Sequence, residues 1–438
     1  MSRWKSVANS KHIGKLALSA TIAVSIAMTG QSMAATNAHV SQQKIVLTFA
    51  NWVSAEAASR AYVNEVITAF EKLHPNITIR NIAIPFNGYG QQMVTMAAGG
   101  NAPDVMLLSG NWPAELAAEN VLEPLNSFGN EGGYLSHNYS KNSGTDPGMY
   151  QGKLYAIPSE LTPHGFWYNK ALMAKAGIKS PPTTITQLNK DLVIIHKKLP
   201  GVYGIGIDTS KVSYALTEFY PYFWTFGVHN MLRNPNNPNF DQPGVIRAFS
   251  WLQWLAKNNY TPIGDSYSIL RQLTADNKIV FRLDGPYFKG ILQSLNPALN
   301  GNSFYSTFGV TTTPTDGYGR PVTASDIHNI GMSKESPNKQ AAWEFMTFFA
   351  SSPQSIKDYI IPMGTIPPQK TSFNYPAFKN PVNQEFIKKI IPSAKTMPYG
   401  PKFGTAGEYI LTGMQQVVSG ANVKQVVNQV NQELKVLY

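Results

Sequence analysis

Apolar positions along the chain fall into alternating rhythms. Ile45, Val46, Leu47 and Phe49 form a near-continuous apolar run, as a strand covered on both faces requires. Val63, Val66, Ile67 and Phe70 then recur at i, i+3, i+4 and i+7, the stripe of an amphipathic helix, and His74-Pro75 stops it. Residues 77–84 alternate apolar with polar, 85–90 carry turn residues, 91–98 predict a short helix, and 105–108 are a third apolar strand. Strand, helix, strand, helix, strand predicts a doubly wound parallel sheet.

The pattern continues after a stretch, 129–152, that is rich in Gly, Asn, Ser, Tyr and Asp and keeps neither period. A strand over 152–158 leads to a short gap and a second one at 164–169. Residues 170–176 predict a helix with Gly177 as its C-cap. Residues 205–207 read as a short strand and 216–224 as a helix. The run 233–240 is turn after turn, and 245–255 is helical with Trp251 and Trp254 in the core. A strand over 278–284 ends in Gly285-Pro286-Tyr287, and 308–314 read as a further strand. Ala342, Phe345, Met346 and Phe349 mark another helix stripe, and the last seventy or so residues read as helices around a loop at 398–404.

Candidate ligand residues cluster where strands end. The third strand opens onto Ser109, Gly110, Asn111 and Trp112, with Pro113 placed to start a helix. In open α/β sheets, ligands sit beyond the carboxyl ends of strands. Trp52, Phe86 with Tyr89, and Trp112 all stand on that side. Sugar rings present flat C–H faces and a rim of hydroxyls, which aromatic and amide or carboxylate side chains match. Asn51, Asn111 and Glu115 are the candidate polar partners, whereas Asp104 reads as a local cap at the amino end of its strand.

Three motifs carry a family resemblance. Gly99-Gly-Asn-Ala-Pro-Asp-Val105, then Gly152-Lys-Leu-Tyr-Ala-Ile-Pro158 followed by Tyr168-Asn-Lys170, and Asp284-Gly-Pro-Tyr287 resemble, in that order, segments of the sugar-handling extracellular solute-binding proteins of ABC importers (family 1, maltose and multiple-sugar binders). Thr184-Ile185 and Tyr287 stand where the family often has tryptophan. The resemblance implies an α/β, two-lobe periplasmic-binding-protein-like fold with discontinuous domains and a hinged interlobe cleft. Its first lobe would be 40–150 plus 311–358 and its second 151–310 plus 359–438, with hinges near 150–156, 308–312 and 361–365. Near that cleft it implies Glu160, Trp224, Asp284, Tyr287 and Tyr399 beside Asn51, Trp52, Tyr89, Asn111 and Trp112. The partners it implies are an oligosaccharide ligand and ABC permease subunits, the protein itself being a monomer with no cofactor or metal.

Composition narrows the choice. The chain of 438 residues has no cysteine, which excludes disulfides, cysteine nucleophiles, thiolate metal sites and an acylated N-terminal cysteine. Residues 1–34 read as a signal peptide: Arg3, Lys5, Lys11 and Lys15, a small-apolar run, then Ser32-Met-Ala34. Localisation is then secreted, periplasmic or cell-surface-associated, without a lipid anchor. Removing those four basic residues leaves 32 basic against 25 acidic, a net of +7. No basic run is interleaved with aromatics, so nucleic acid is not expected. The scarcity of carboxylates fits an acidic habitat, where fewer groups lose their charge as pH falls. No G-x-S-x-G, Walker, H-E-x-x-H or dinucleotide motif occurs, and His164 and His328 read as packed or surface residues. Two competitors stay open. A glycoside hydrolase would cast Glu160 and Asp284 as its carboxylate pair. A glycerol 3-phosphate binder would need arginine forks, for which Arg282 and Arg320 are the candidates. The aromatic side chains Trp52, Tyr89, Trp112, Trp224 and Tyr287 exceed what one pyranose can stack on, which favours an oligosaccharide.

Overall fold

The computed structural model describes residues 44–56, 59–128, 148–228, 231–232, 238–316 and 319–438. The expected signal peptide, most of the aperiodic stretch and the turn residues 233–237 lie outside the described residues. Among the described residues no helix is long and apolar enough to cross a membrane.

Two sheets organise the chain. The first contains β1 (Ile45–Asn51), β2 (Ile77–Ala83) and β3 (Val105–Ser109). β1 pairs parallel with β2 from Ile45↔Ile77 to Asn51↔Ala83, and with β3 at Phe49↔Val105. The second contains β5 (Gly165–Asn169), β6 (Tyr203–Gly206), β7 (Ile279–Asp284) and β8 (Phe308–Thr311), in the order β8-β5-β7-β6. Between β3 and β5 the chain forms β4 (Ala156–Leu161), and it later returns as β9 (Ile327–Met332). The first sheet has the order β2-β1-β3-β9-β4, with β9 antiparallel to both neighbours. The parallel sheet expected from the pattern is therefore a mixed one. β9 runs the other way because the chain re-enters from the second sheet, at the carboxyl end of β3, where His328 pairs with Ser109.

These pairings move the crossings. β4 belongs to the first sheet, so the chain crosses after Leu161 and not near residue 150. β8 stays in the second sheet, so the return occupies 312–326. The 361–365 segment leads to Ile366, whose carbonyl accepts from Leu161 N at 2.7 Å on the edge of the first sheet.

The predicted stripes are the buried faces. Val63, Val66, Ile67 and Phe70 of helix Arg60–Leu73 and Ala342, Phe345, Met346 and Phe349 of helix Lys339–Ser351 are all buried. They meet through edge-on rings: Phe49 to Phe345 at 5.2 Å and Phe70 to Phe345 at 5.1 Å. The tail forms helices Phe403–Val418 and Val423–Leu437, whose Ile410, Met414, Val427 and Val430 pack with Phe249 of helix Pro243–Lys257. Helix Lys170–Ala176 starts where the Asn169 side chain accepts from Leu172 N at 2.9 Å, and stops at Gly177, which takes φ 81°.

Candidate functional site

The carboxyl ends of β1 and β3 carry the first wall of a cleft between the sheets. Trp52 follows β1 and lies edge-on to Phe86 (5.4 Å), Tyr89 (5.5 Å), Trp112 (5.5 Å) and the His328 imidazole (4.9 Å). Tyr89 stacks on Trp112 at 5.0 Å, and its hydroxyl donates to Ala50 O at 2.8 Å. Gly90 permits this packing, since a Cβ there would fall 2.8 Å from Trp112 Nε1. Each aromatic group is thus held by the others, with Tyr89 tied to the strand behind it.

The opposite wall is polar beneath its rings. Asp284 ends β7 fully buried, and Arg271 holds it with both prongs: Nε to Oδ2 at 2.9 Å and Nη2 to Oδ1 at 2.8 Å. Arg282 Nε reaches Oδ2 at 3.0 Å and pairs through Nη2 with Glu218. Tyr214 Oη donates to Asp284 Oδ1 and meets Tyr287 Oη, both at 2.9 Å. The Arg271 guanidinium lies 5.3, 4.8 and 5.4 Å from the ring centres of Tyr214, Tyr267 and Tyr287. Burial opposes ionisation of Asp284, but Arg271 and Arg282 outweigh it and hold the carboxyl well below its usual range.

At the base of the cleft, Glu160 of β4 accepts from Tyr359 Oη and lies 3.4 Å from His328 Nδ1. His328 Nε2 stands 3.8 Å from Asp326 Oδ2. Burial would lower the His328 pKa, and Glu160 and Asp326 raise it above the ordinary value. His164 is buried with no hydrogen-bond partner for either ring nitrogen among the described residues, and burial lowers it to about 4.

Among the described residues, two chambers line the cleft. The inner one, about 390 Å³, lies between Trp52 and the Tyr287–Arg271 wall. The outer one, about 530 Å³, lies between Trp112 and Tyr399. Phe86, Tyr214 and Asp326 line both, and the rings of Phe86 and Tyr214 meet edge-on at 6.3 Å across the cleft. Glu115 spans the outer chamber: its Oε1 accepts from Gly404 N at 2.8 Å, at the start of helix Phe403–Val418. Burial pushes the Glu115 carboxyl up to about 7.

Six of the expected site residues line these chambers: Trp52 and Tyr287 the inner, and Tyr89, Asn111, Trp112 and Tyr399 the outer. Four line neither chamber. Asn51 is fully buried, donating to Asn81 Oδ1 and accepting from Ser54 N, both at 2.8 Å, so it clamps the end of β1. Glu160 turns its Oε1 to Tyr359 and His328, and its buried Oε2 has no hydrogen-bond partner among the described residues. Trp224 packs edge-on against Tyr220 at 4.8 Å in the second-sheet core. Asp284 lies behind Tyr287, held by its arginines. Arg282 faces inward to the same network and Arg320 is exposed, lining neither chamber. Residue-by-residue reading missed Tyr214, Tyr267, Arg271 and Asp326. Only Asp326 gives a local signal, a carboxylate directly ahead of the strand Ile327–Met332.

Sequence and structure comparisons agree on the kind of protein this resembles. The profile of the bacterial extracellular solute-binding protein family matches residues 33–356. A binding protein of Brucella abortus is 24% identical over 373 residues, spanning 83% of this chain and 86% of that one. The maltotriose-binding protein of Pyrococcus abyssi is 22% identical over 347 residues, 76% and 70% of the two chains. The GacH receptor of Streptomyces glaucescens, solved unliganded and with acarbose, superposes with a TM-score of 0.79 at 20% identity, covering 90% and 98%. The two-lobe periplasmic-binding-protein fold is common to both.

Proposed function

The chain belongs to the family of bacterial extracellular solute-binding proteins, and we propose that it holds an oligosaccharide between its lobes and delivers it to the permease of an ABC importer. One observation carries the reading: two adjoining chambers, each with an aromatic ring of the first wall facing hydroxyl-bearing side chains of the second. Trp52 and Trp112 offer flat apolar faces, while Tyr287, Tyr214 and Tyr399 offer rings tipped with hydroxyls. Chambers of this size fall in the range that holds small ligands, and two of them in line fit consecutive sugar units. A maltotriose-binding relative and a structural neighbour solved with acarbose support the same substrate class.

Ligand that touches both walls stabilises the closed arrangement, because only there are both contacts made. The crossings at 162–164 and 312–326 would act as hinge, bounding lobes of 44–161 with 327–366 and 165–311 with the tail. The protein would act outside the cytoplasm as a monomer. Binding without hydrolysis is supported by the place of the two carboxylates that a hydrolase would need: Glu160 and Asp284 are both fully buried and line neither chamber. A phosphate ligand has less support, since Arg271 and Arg282 already face carboxylates.

Calorimetric titration against maltotriose, raffinose, xylotriose, mannotriose and glycerol 3-phosphate tests this. The expected result is at least one neutral oligosaccharide bound at micromolar affinity or better, about −8 kcal/mol. Binding of glycerol 3-phosphate alone, or release of shorter sugars, would overturn it.

A further inference from the structure

Asp326 lies at the junction of the two chambers, one residue ahead of β9 on the segment that re-enters the first lobe. Its backbone carbonyl accepts from Thr162 N at 2.9 Å and Thr162 Oγ1 at 2.6 Å, so the two crossing segments fix it in place. The residue is 3% exposed, yet its carboxylate is poorly satisfied. Oδ1 accepts one bond, from Ser109 Oγ at 3.2 Å. Oδ2 has no hydrogen-bond donor among the described residues, the nearest cation being His328 Nε2 at 3.8 Å. An ionised carboxylate can accept about four hydrogen bonds, and a buried one left short of donors is costly. Across the inner chamber Arg271, 7% exposed, shows the complementary shortage. Its Nε and Nη2 are spent on Asp284 and Tyr214, and Nη1 has no partner among the described residues.

We propose that Asp326 is the specificity-determining anchor of the cleft: its carboxylate accepts hydrogen bonds from ligand hydroxyls at the chamber junction, while Arg271 Nη1 donates to an oxygen of the unit in the inner chamber. This rests on the sugar reading above and narrows it. The ligand is a neutral sugar of at least two units. Uronates and sugar phosphates are rejected, because Asp326 and Glu56 face the inner chamber and the Arg271 charge is already matched by Asp284.

Proton linkage follows from the same geometry. Burial raises the Asp326 pKa, against the pull of His328 and the Ser109 hydrogen bond. The titratable groups around it are His328 and Glu160 in the first lobe and Tyr287 and Tyr399 in the second. Hydroxyl donors from a ligand stabilise the ionised form and lower that pKa. Binding therefore releases protons wherever the free carboxyl is partly protonated, and affinity falls as pH falls.

The test is calorimetry on the full mature chain with maltotriose, raffinose, xylotriose, mannotriose and trigalacturonate. Each titration is run at pH 5 and pH 7, in two buffers of different ionisation enthalpy, so that released protons are counted. The wild type is expected to bind a neutral member, to ignore trigalacturonate and to release protons at pH 5. Asp326→Asn is expected to weaken that binding at least tenfold and to abolish the proton release. Should the variant misfold, the wild-type proton count decides, and a count of zero at both pH values overturns the proposal. Undiminished binding by a folded Asp326→Asn, or tight binding of trigalacturonate, overturns this proposal and leaves the sugar reading standing. A wild type that binds no member of the panel overturns both.

Discussion

The two walls of the cleft are built by different physics. In the first lobe, Trp52, Phe86, Tyr89 and Trp112 hold one another by ring contacts, and the Tyr89 hydroxyl is spent on the backbone of the strand behind it. In the second, Tyr214, Tyr267 and Tyr287 sit over a buried network of Arg271, Asp284, Arg282 and Glu218. Packing makes a surface of fixed shape with little dependence on pH. A buried ion network fixes shape as well, but only while every charge keeps its partner. One wall therefore supplies the flat face, and the other aims hydroxyls and a guanidinium at it.

The largest break is expected on the charged wall. Asp284→Ala leaves Arg271 without its bidentate partner and Arg282 with only Glu218. Removing one partner of a buried pair costs about 3–5 kcal/mol; urea denaturation should show that loss, and sugar binding should vanish with it. A stability within about 1 kcal/mol of wild type would mean that the network does not hold the wall, since losses that small are typical of exposed pairs.

On the packed wall, Trp112→Ala removes a ring that contacts Trp52, Phe86 and Tyr89. A loss of about 3 kcal/mol in stability is expected, as for truncation of a buried aromatic, with binding weakened by about 1 kcal/mol or more. The stability loss should be alike at low and high salt, since it removes contacts and not charges; a loss that shrinks in salt would erase the contrast between the walls. Tyr287→Phe probes the hydroxyls of the second wall alone. It keeps the ring and deletes only the hydroxyl bonded to Tyr214, so calorimetry should register a loss of about 1 kcal/mol in sugar affinity. No change would place the role of Tyr287 in its ring alone.

Legibility in the sequence divides along the same line. Periodicity shows which faces are buried, so the stripe Val63, Val66, Ile67 and Phe70 and the Gly177 cap appear in the structure as read. Trp52, Tyr89 and Trp112 were readable because each follows the end of a strand or the turn after it. On the charged wall, Asp284, Arg282 and Tyr287 were readable from the end of their strand, but the pairings were not, because they join separate elements: Arg271 meets Asp284 and Glu218 meets Arg282. Asn51 shows the converse. A polar residue at a strand end has the right position for a ligand, but its hydrogen bonds to Asn81 and Ser54 consume it. The reversed β9 was equally hidden, since the residues of a strand do not write its direction; only its place after the second sheet sets it.

The smallest expected effect lies between the walls. Glu115 accepts from Gly404 N across the outer chamber, and burial raises its carboxyl to about 7. A carboxyl with a raised pKa binds a proton in the folded state before the unfolded chain does. Its contribution therefore makes folding more favourable as pH falls from above 7 toward the ordinary carboxylate range. Glu115→Gln should remove that slope and leave stability at pH 8 equal to or above wild type in thermal melts. A slope unchanged by the substitution would assign the pH dependence to other groups.

On the proposed function, two walls, one packed and one charged, close on a neutral oligosaccharide. Small-angle scattering of the mature protein, with and without a saturating amount of the tightest-binding sugar among maltotriose, raffinose, xylotriose and mannotriose, tests it most directly. A radius of gyration that falls on binding in the wild type is the predicted result. A radius unmoved by saturating sugar would contradict it.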